Sequence, residues 1–215
     1  MELIVKTLPN YGIVEGKLPD NIIKDIWQLI EETKESPTDA KGFLAGNISS
    51  SLNLNTTSYI TDSFKYNVLK VFVDKHIESW GLMKGQVKEQ CLDLSAFWVN
   101  FQKQTEFNPI HNHSGLYSFV IWMQIPTSFK EQKQLPIASE SNSNWCISNV
   151  EFFYSDILGG HRTLQYKMEN ELEGTMILFP ASLNHQVYPF YNNDGVRISV
   201  SGNISILTGE NHNEN

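Results

Sequence analysis

The sequence predicts a mainly β domain with helices at its N-terminal end, of the sandwich or jelly-roll kind. Three observations carry that expectation. From about residue 90 onward, short apolar runs recur between turn-forming segments such as Gly159-Gly160, Glu173-Gly174 and Asn192-Asn193-Asp194-Gly195. Before residue 90, apolar residues recur instead at helical spacing. Finally, 215 residues make one full-sized domain, long enough to bury a substantial core.

In chain order, Asp20 follows Pro19 as the expected cap of a first helix. Ile22, Ile23, Ile26, Trp27, Leu29 and Ile30 form its apolar stripe, which ends at the Ser36-Pro37 break. Residues 40–58 are rich in Gly, Ser, Asn and Thr and read as a loop wrapping the surface. A second helix is expected over about 60–80, burying Phe64, Val68, Val71, Phe72 and Trp80. The expected strands are Leu92–Gln102, Tyr117–Ile125, Cys146–Tyr154, Thr163–Lys167, Thr175–Phe179, His185–Pro189 and Val196–Leu207. Residues 127–144 are polar and read as an insertion loop covering a site. The single domain thus divides into a helical and loop support, 1–88, a β core, 89–207, and a frayed polar tail, 208–215.

Composition narrows the function. The net charge is −8, and the 16 basic residues form no run, which disfavours nucleic acid, whose phosphates require clustered Lys and Arg. Cys91 and Cys146 form no CxxC motif and read as two reduced, mostly buried thiols. The N-terminus lacks a basic start and long apolar core, and no apolar run approaches the roughly 18 residues of a membrane span. A cytoplasmic protein is expected, in the host cytoplasm if the chain is viral, with no membrane partner; a dimer is compatible with the sequence.

The chemistry concentrates between Asn108 and Pro126 and again near residue 190. His111 and His113 stand two apart at the entrance to an apolar strand, a spacing that puts both side chains on one face. His185 follows the glycine turn, apolar strand and Phe179-Pro180 that begin at Gly174. Imidazole suits Fe, Zn, Cu or Ni, and two His with a carboxylate and open positions suit non-haem Fe(II). Arg197 and Ser199 share one face of the last strand, where a guanidinium and a hydroxyl can grip a carboxylate. The plainer readings are a metal-free surface turn for His111 and His113, and an Arg197 paired with an acidic residue. Trp98, Asn100 and Gln102 share a strand face, so Asn100 and Gln102 are either cosubstrate contacts or polar fillers. Tyr117 and Trp122 line the pocket or simply pack.

On these residues the chain resembles the Fe(II)/2-oxoglutarate-dependent oxygenases. More narrowly, it is similar to the oxygenases common in phage and marine bacterial genomes. The resemblance rests on Trp98-Val-Asn100, His111-Asn-His113, the Ser118–Pro126 segment, Gly174–Pro180, His185 and Arg197-Ile-Ser199, and it spans roughly residues 90–205. It implies a double-stranded β-helix, cupin-like, with Fe(II) at one end. It also implies 2-oxoglutarate as cosubstrate with O2, and Arg197 and Ser199 on the distal carboxylate. The implied reaction is hydroxylation, with decarboxylation of 2-oxoglutarate to succinate and carbon dioxide. The resemblance carries no substrate, and the acidic charge favours a small molecule, peptide or protein over nucleic acid.

One position departs from the family's usual His-x-Asp or His-x-Glu: the third residue here is His113. His76-Ile-Glu78 cannot substitute, because i and i+2 diverge on a helix, and His212-Asn-Glu214 lies in the tail. Three possibilities stay open. His113 is the third ligand, which the phage-type resemblance favours; Glu151 or Asp156 completes the set from another strand; or the site is an inactive relic. Two other classes remain beside the oxygenase. One is a cupin-like three-histidine metalloenzyme using no 2-oxoglutarate; the other is a non-catalytic jelly-roll binding or virion module.

Overall fold

A computed structural model describes residues 4, 10–80, 92–139 and 146–206. Among the described residues, ten strands form two antiparallel sheets. The larger contains β1 (Val14–Lys17), β8 (Thr175–Pro180), β5 (Tyr117–Gln124), β10 (Arg197–Ile206), β3 (Leu92–Gln102) and β2 (Ser51–Asn53), in that order. The smaller runs β4 (Asn108–His111), β9 (Asn184–Val187), β6 (Asn149–Ser155), β7 (His161–Lys167). The mainly β architecture is therefore as expected. The seven expected strands are all present, within three residues at each end.

Alternation along the central strands separates two environments. On one face of the large sheet, Phe97, Val99, Phe119, Ile121, Met176, Leu178 and Val200 pack against the helices. On the other, Trp122, Ile177 and Phe179 meet Val150 and Phe152 of the small sheet. β5 is buried on both sides, which explains its nearly unbroken apolar run. Gly202 of β10 leaves room for the Phe119 ring, 2.6 Å from where a Cβ would sit.

The helical layer is α1 (Asp20–Glu35), α2 (Tyr59–Phe64), a π-turn over Lys65–Leu69 and α3 (Lys70–Trp80). Ile22, Ile26, Leu29, Ile30 and Thr33 are the buried stripe of α1. Asp20 lies in its first turn, where its charge favours the helix dipole, and makes no capping bond. Ser58 caps α2 by accepting from the Thr61 amide at 3.1 Å.

Three expectations need correction. The second helix buries Phe64 and Val68 as expected, but then Val73 and His76, while Val71 is exposed. The π-turn adds a residue to the helical repeat and rotates the following stripe. The support region is not only helix and loop, since β1 and β2 form both edges of the large sheet. Within 127–144, residues 129–132 and 136–139 form short helices α4 and α5, and Phe129 and Ala138 pack on Ile147. Residues 140–145, Cys91 and the 208–215 tail with His212-Asn-Glu214 lie outside the described residues. Cys146 is a free thiol but an exposed one, contrary to the buried position expected, because it precedes the start of β6. Among the described residues no helix is long and apolar enough to cross a membrane.

Candidate active site

β4 and β9 pair so that His111 stands directly opposite His185. His113 lies two residues past His111, beyond the end of β4, and its amide donates to the Ala181 carbonyl at 2.8 Å. The pair therefore converges through a strand and its exit, not through one strand face. Irregular pairing between Asn108 and His111 bends the chain there, as bulges commonly do beside sites.

The three rings are mutually adjacent, with centroids 4.3 Å apart for His111–His185 and 5.0 Å for the other two pairs. One ligand atom from each lies within 4.8 Å of the others, and among the described residues no other such group could hold a metal ion. Second contacts set the tautomers. His111 Nδ1 donates to the Pro109 carbonyl at 2.7 Å, and His185 Nδ1 to the Leu183 carbonyl at 2.9 Å. A carbonyl can only accept, so each Nδ1 carries the hydrogen and each Nε2 keeps its lone pair for an ion. Burial, with help from the neighbouring rings, pushes His185 down to about 3 and His113 to about 4. Burial lowers His111 as well. All three are thus neutral near pH 7, the form that binds metal.

These histidines open into a cavity of about 120 Å³ between the sheets, whose wall also includes Trp98, Asn100, Gln102, Trp122, Arg197 and Ser199. The register across β2, β3, β10 and β5 aligns Ser51, Asn100, Ser199 and Trp122 in one rung, with Arg197 opposite Gln102 in the next. Ser51 donates to Asn100 Oδ1 at 2.7 Å.

Arg197 is 3% exposed. Its Nη2 donates to Ser148 Oγ at 2.7 Å, and its Nη1 to Gln102 Oε1 at 3.3 Å and the Tyr188 carbonyl at 3.4 Å. Phe190 lies beneath the guanidinium at 5.0 Å. Its Nε–H has no partner, and none of these contacts is a carboxylate. Among the described residues the paired-arginine reading therefore fails. Desolvation pushes Arg197 down to about 9, still protonated at neutral pH. A buried cation lacking a counter-ion is costly enough to call for an anion.

Three residues considered from the sequence lie elsewhere. Tyr117 points to the helical side, where its hydroxyl meets His76 Nδ1 at 3.2 Å. Glu151 is register-paired with Gln186, one step from the Phe152–His185 pair, so its side chain takes the opposite face of β6. There it accepts from Gln165, Gln186 and Tyr188, each at 2.9 Å. Asp156 lies half-buried in the β6–β7 turn, tied to Gly160, Leu158 and Arg162. Neither carboxylate joins the histidines.

The sequence reading missed the strap over residues 41–48. Lys41, Leu44, Ala45, Gly46 and Ile48 complete the cavity wall. The strap is held by Asn47 N–H to the Phe107 carbonyl, 2.8 Å, and Ser49 N–H to Glu106 Oε1, 3.0 Å. A Cβ on Gly46 would overlap Asn108 Oδ1, so any larger residue there would have to push that side chain aside. That glycine, within a polar stretch, was the one available signal.

The model of a family described as "Putative 2OG-Fe(II) oxygenase" matches residues 96–203, half of the chain and every residue of the triad. The chain belongs to the 2OG-Fe(II) oxygenases. The oxygenase also resembles solved structures in fold. A Pseudomonas putida prolyl-4-hydroxylase is 13% identical, with TM-score 0.53 over 91% of this chain and 93% of that one. A Trichoplax adhaerens prolyl hydroxylase, in complex with a hypoxia-inducible-factor peptide fragment, is 11% identical, with TM-score 0.51 over 91% and 83%. SnoN, a non-haem α-ketoglutarate-dependent epimerase from nogalamycin biosynthesis, is 9% identical, with TM-score 0.57 over 91% and 79%. No curated protein matches in sequence. The family implies Fe(II), 2-oxoglutarate and O2. The donor set fits them: three neutral imidazoles, two with Nε2 left free by their Nδ1 bonds, share a cavity with a guanidinium that has no carboxylate partner among the described residues.

Proposed function

We propose that the oxygenase is a dioxygenase with a three-histidine Fe(II) centre that consumes 2-oxoglutarate and hydroxylates its substrate. His111, His113 and His185 would hold the metal through Nε2. Arg197 and Ser199 would grip the distal carboxylate of 2-oxoglutarate, with Asn100 and Gln102 along its flank. Bound together, the metal and cosubstrate supply the oxidative chemistry, in which 2-oxoglutarate is decarboxylated to succinate and one oxygen atom goes to a C–H bond. The chain's own work is positioning and water exclusion. Pro109 and Leu183 carbonyls lock two imidazole tautomers. Trp122, Phe152 and Phe179 form an apolar floor that keeps water away and strengthens the guanidinium's hold on an anion.

The observation that carries this reading is Arg197: a buried guanidinium with no carboxylate partner among the described residues, in the same cavity as three convergent imidazoles. An all-histidine ligand set is also what a cupin-type enzyme without cosubstrate would carry, but that enzyme leaves Arg197 without a ligand. The substrate we expect is a small molecule or a peptide, because the −8 charge disfavours nucleic acid. The test is succinate formation from 2-oxoglutarate with iron and ascorbate. Wild type should release succinate slowly even without substrate, and Arg197→Ala should not. No succinate from wild type under those conditions, with iron bound, would favour the cupin-type enzyme.

A further inference from the structure

We propose that Ser148 is a positioning residue for the cosubstrate anion, acting through Arg197; this rests on the 2-oxoglutarate reading of the site. Ser148 is fully buried at the entrance to β6, and its φ of 46° lies in the left-handed region that disfavours a side chain. Its backbone is pinned on both sides. Its amide donates to the Pro189 carbonyl at 2.8 Å, and its carbonyl accepts from the Met168 amide at 3.1 Å. Glycine would take this conformation without strain, yet a serine occupies it. What the serine adds is a hydroxyl, and that hydroxyl makes the shortest of Arg197's three hydrogen bonds, 2.7 Å against 3.3 and 3.4 Å. Strain kept at such a position points to function.

The chemistry of the contact matters as much as its length. Ser148, Gln102 and the Tyr188 carbonyl are all neutral acceptors, so they orient the guanidinium without neutralising it. Thr127 Oγ1, 3.3 Å from Ser148 Oγ, can take the serine's own hydrogen, which turns the oxygen lone pairs toward Arg197. Ser148 is absent from the cavity wall, so it does not touch the anion itself. It fixes Arg197 from behind and leaves Nε–H unpartnered. An acidic residue at 148 would do the opposite, supplying internally the charge that the cosubstrate is meant to bring.

The test is calorimetry on the Mn(II)-loaded protein with two probes, 2-oxoglutarate and 2-oxobutyrate. Both carry the 2-oxo acid that binds the metal, and only the first has a distal carboxylate. Wild type should prefer 2-oxoglutarate, and Arg197→Ala should erase the preference. Ser148→Gly should weaken 2-oxoglutarate by about tenfold and leave 2-oxobutyrate unchanged. Ser148→Asp, a residue type that tolerates positive φ, should abolish the preference while raising the melting temperature. Ser148→Asn, which keeps an acceptor oxygen, should restore most of it. The proposal is overturned if Ser148→Gly keeps the wild-type preference, or weakens both probes equally as a structural lesion would. If wild type shows no preference and Arg197→Ala changes nothing, the 2-oxoglutarate reading itself falls, and this proposal with it.

Discussion

Histidines lie on both sides of the large sheet, one among the helices and three facing the cavity, and they differ in what they leave unused. On the helical side, His76 is fully buried, donates from Nε2 to the Gly12 carbonyl at 3.0 Å and accepts at Nδ1 from Tyr117. Trp80 covers its ring. Both ring nitrogens of that histidine are spent inside the chain. On the cavity side, His111 and His185 spend only Nδ1, His113 donates no side-chain bond, and Arg197 keeps a free N–H. Glu151, with three donors on its carboxylate, belongs with the closed kind. Residue type is common to both sides; unspent hydrogen-bonding capacity is what separates a site from a core.

The sharpest way to break this comparison is to remove one histidine from each face. His185→Ala should weaken Fe(II) or Co(II) binding more than about 100-fold without unfolding the protein. His76→Ala should leave metal affinity intact and cost about 2–4 kcal/mol of stability in denaturant melts, from the cavity and the orphaned Tyr117 hydroxyl. Loss of metal binding in His76→Ala alone would erase the distinction.

Arg197→Met comes next. If the guanidinium is held open for an anion, an apolar side chain of similar size should fold as stably or gain about 1 kcal/mol, while 2-oxoglutarate binding disappears. A loss of about 3–5 kcal/mol would instead mark a hidden structural ion pair. Smaller again is Glu151→Gln, which should cost about 1–2 kcal/mol with metal affinity unchanged, as it should be in Asp156→Asn.

The smallest effect is in pH. Burial lowers the pKa of His76, so the folded protein keeps it neutral while the unfolded chain titrates near 6.5. The unfolded state then binds more protons as pH falls, so the stability this group retains above about pH 6.5 is lost below it. Melts between pH 7.5 and roughly 5 should show that slope, and it should be shallower in His76→Gln.

Much of this was legible in the sequence, for physical reasons. Six long strands announced themselves by apolar runs between glycine turns, the short β9 by the His185 that follows Phe179-Pro180, and the other histidines and Arg197 by spacing. β1, β2 and β4 did not, because Val-Glu-Gly-Lys, Ser-Leu-Asn and Asn-Pro-Ile-His are too short and polar to show a period. Tyr117 and Trp122 look alike in the sequence as aromatics of one strand, yet five positions put them on opposite faces, and only Trp122 reaches the cavity. The π-turn's shift of helical phase leaves no trace in composition. Nor does Ser148, whose significance lies in a backbone angle and a contact 49 residues away.

The central claim is that His113 completes an iron centre facing an anion-seeking Arg197. Its most direct test is an anaerobic optical titration of the Fe(II)-loaded protein with 2-oxoglutarate. A metal-to-ligand charge-transfer band should appear in wild type and be lost in both His113→Ala and Arg197→Ala. A wild-type band in His113→Ala would contradict the three-histidine centre, and no band in wild-type protein that binds Fe(II) would contradict the cosubstrate site.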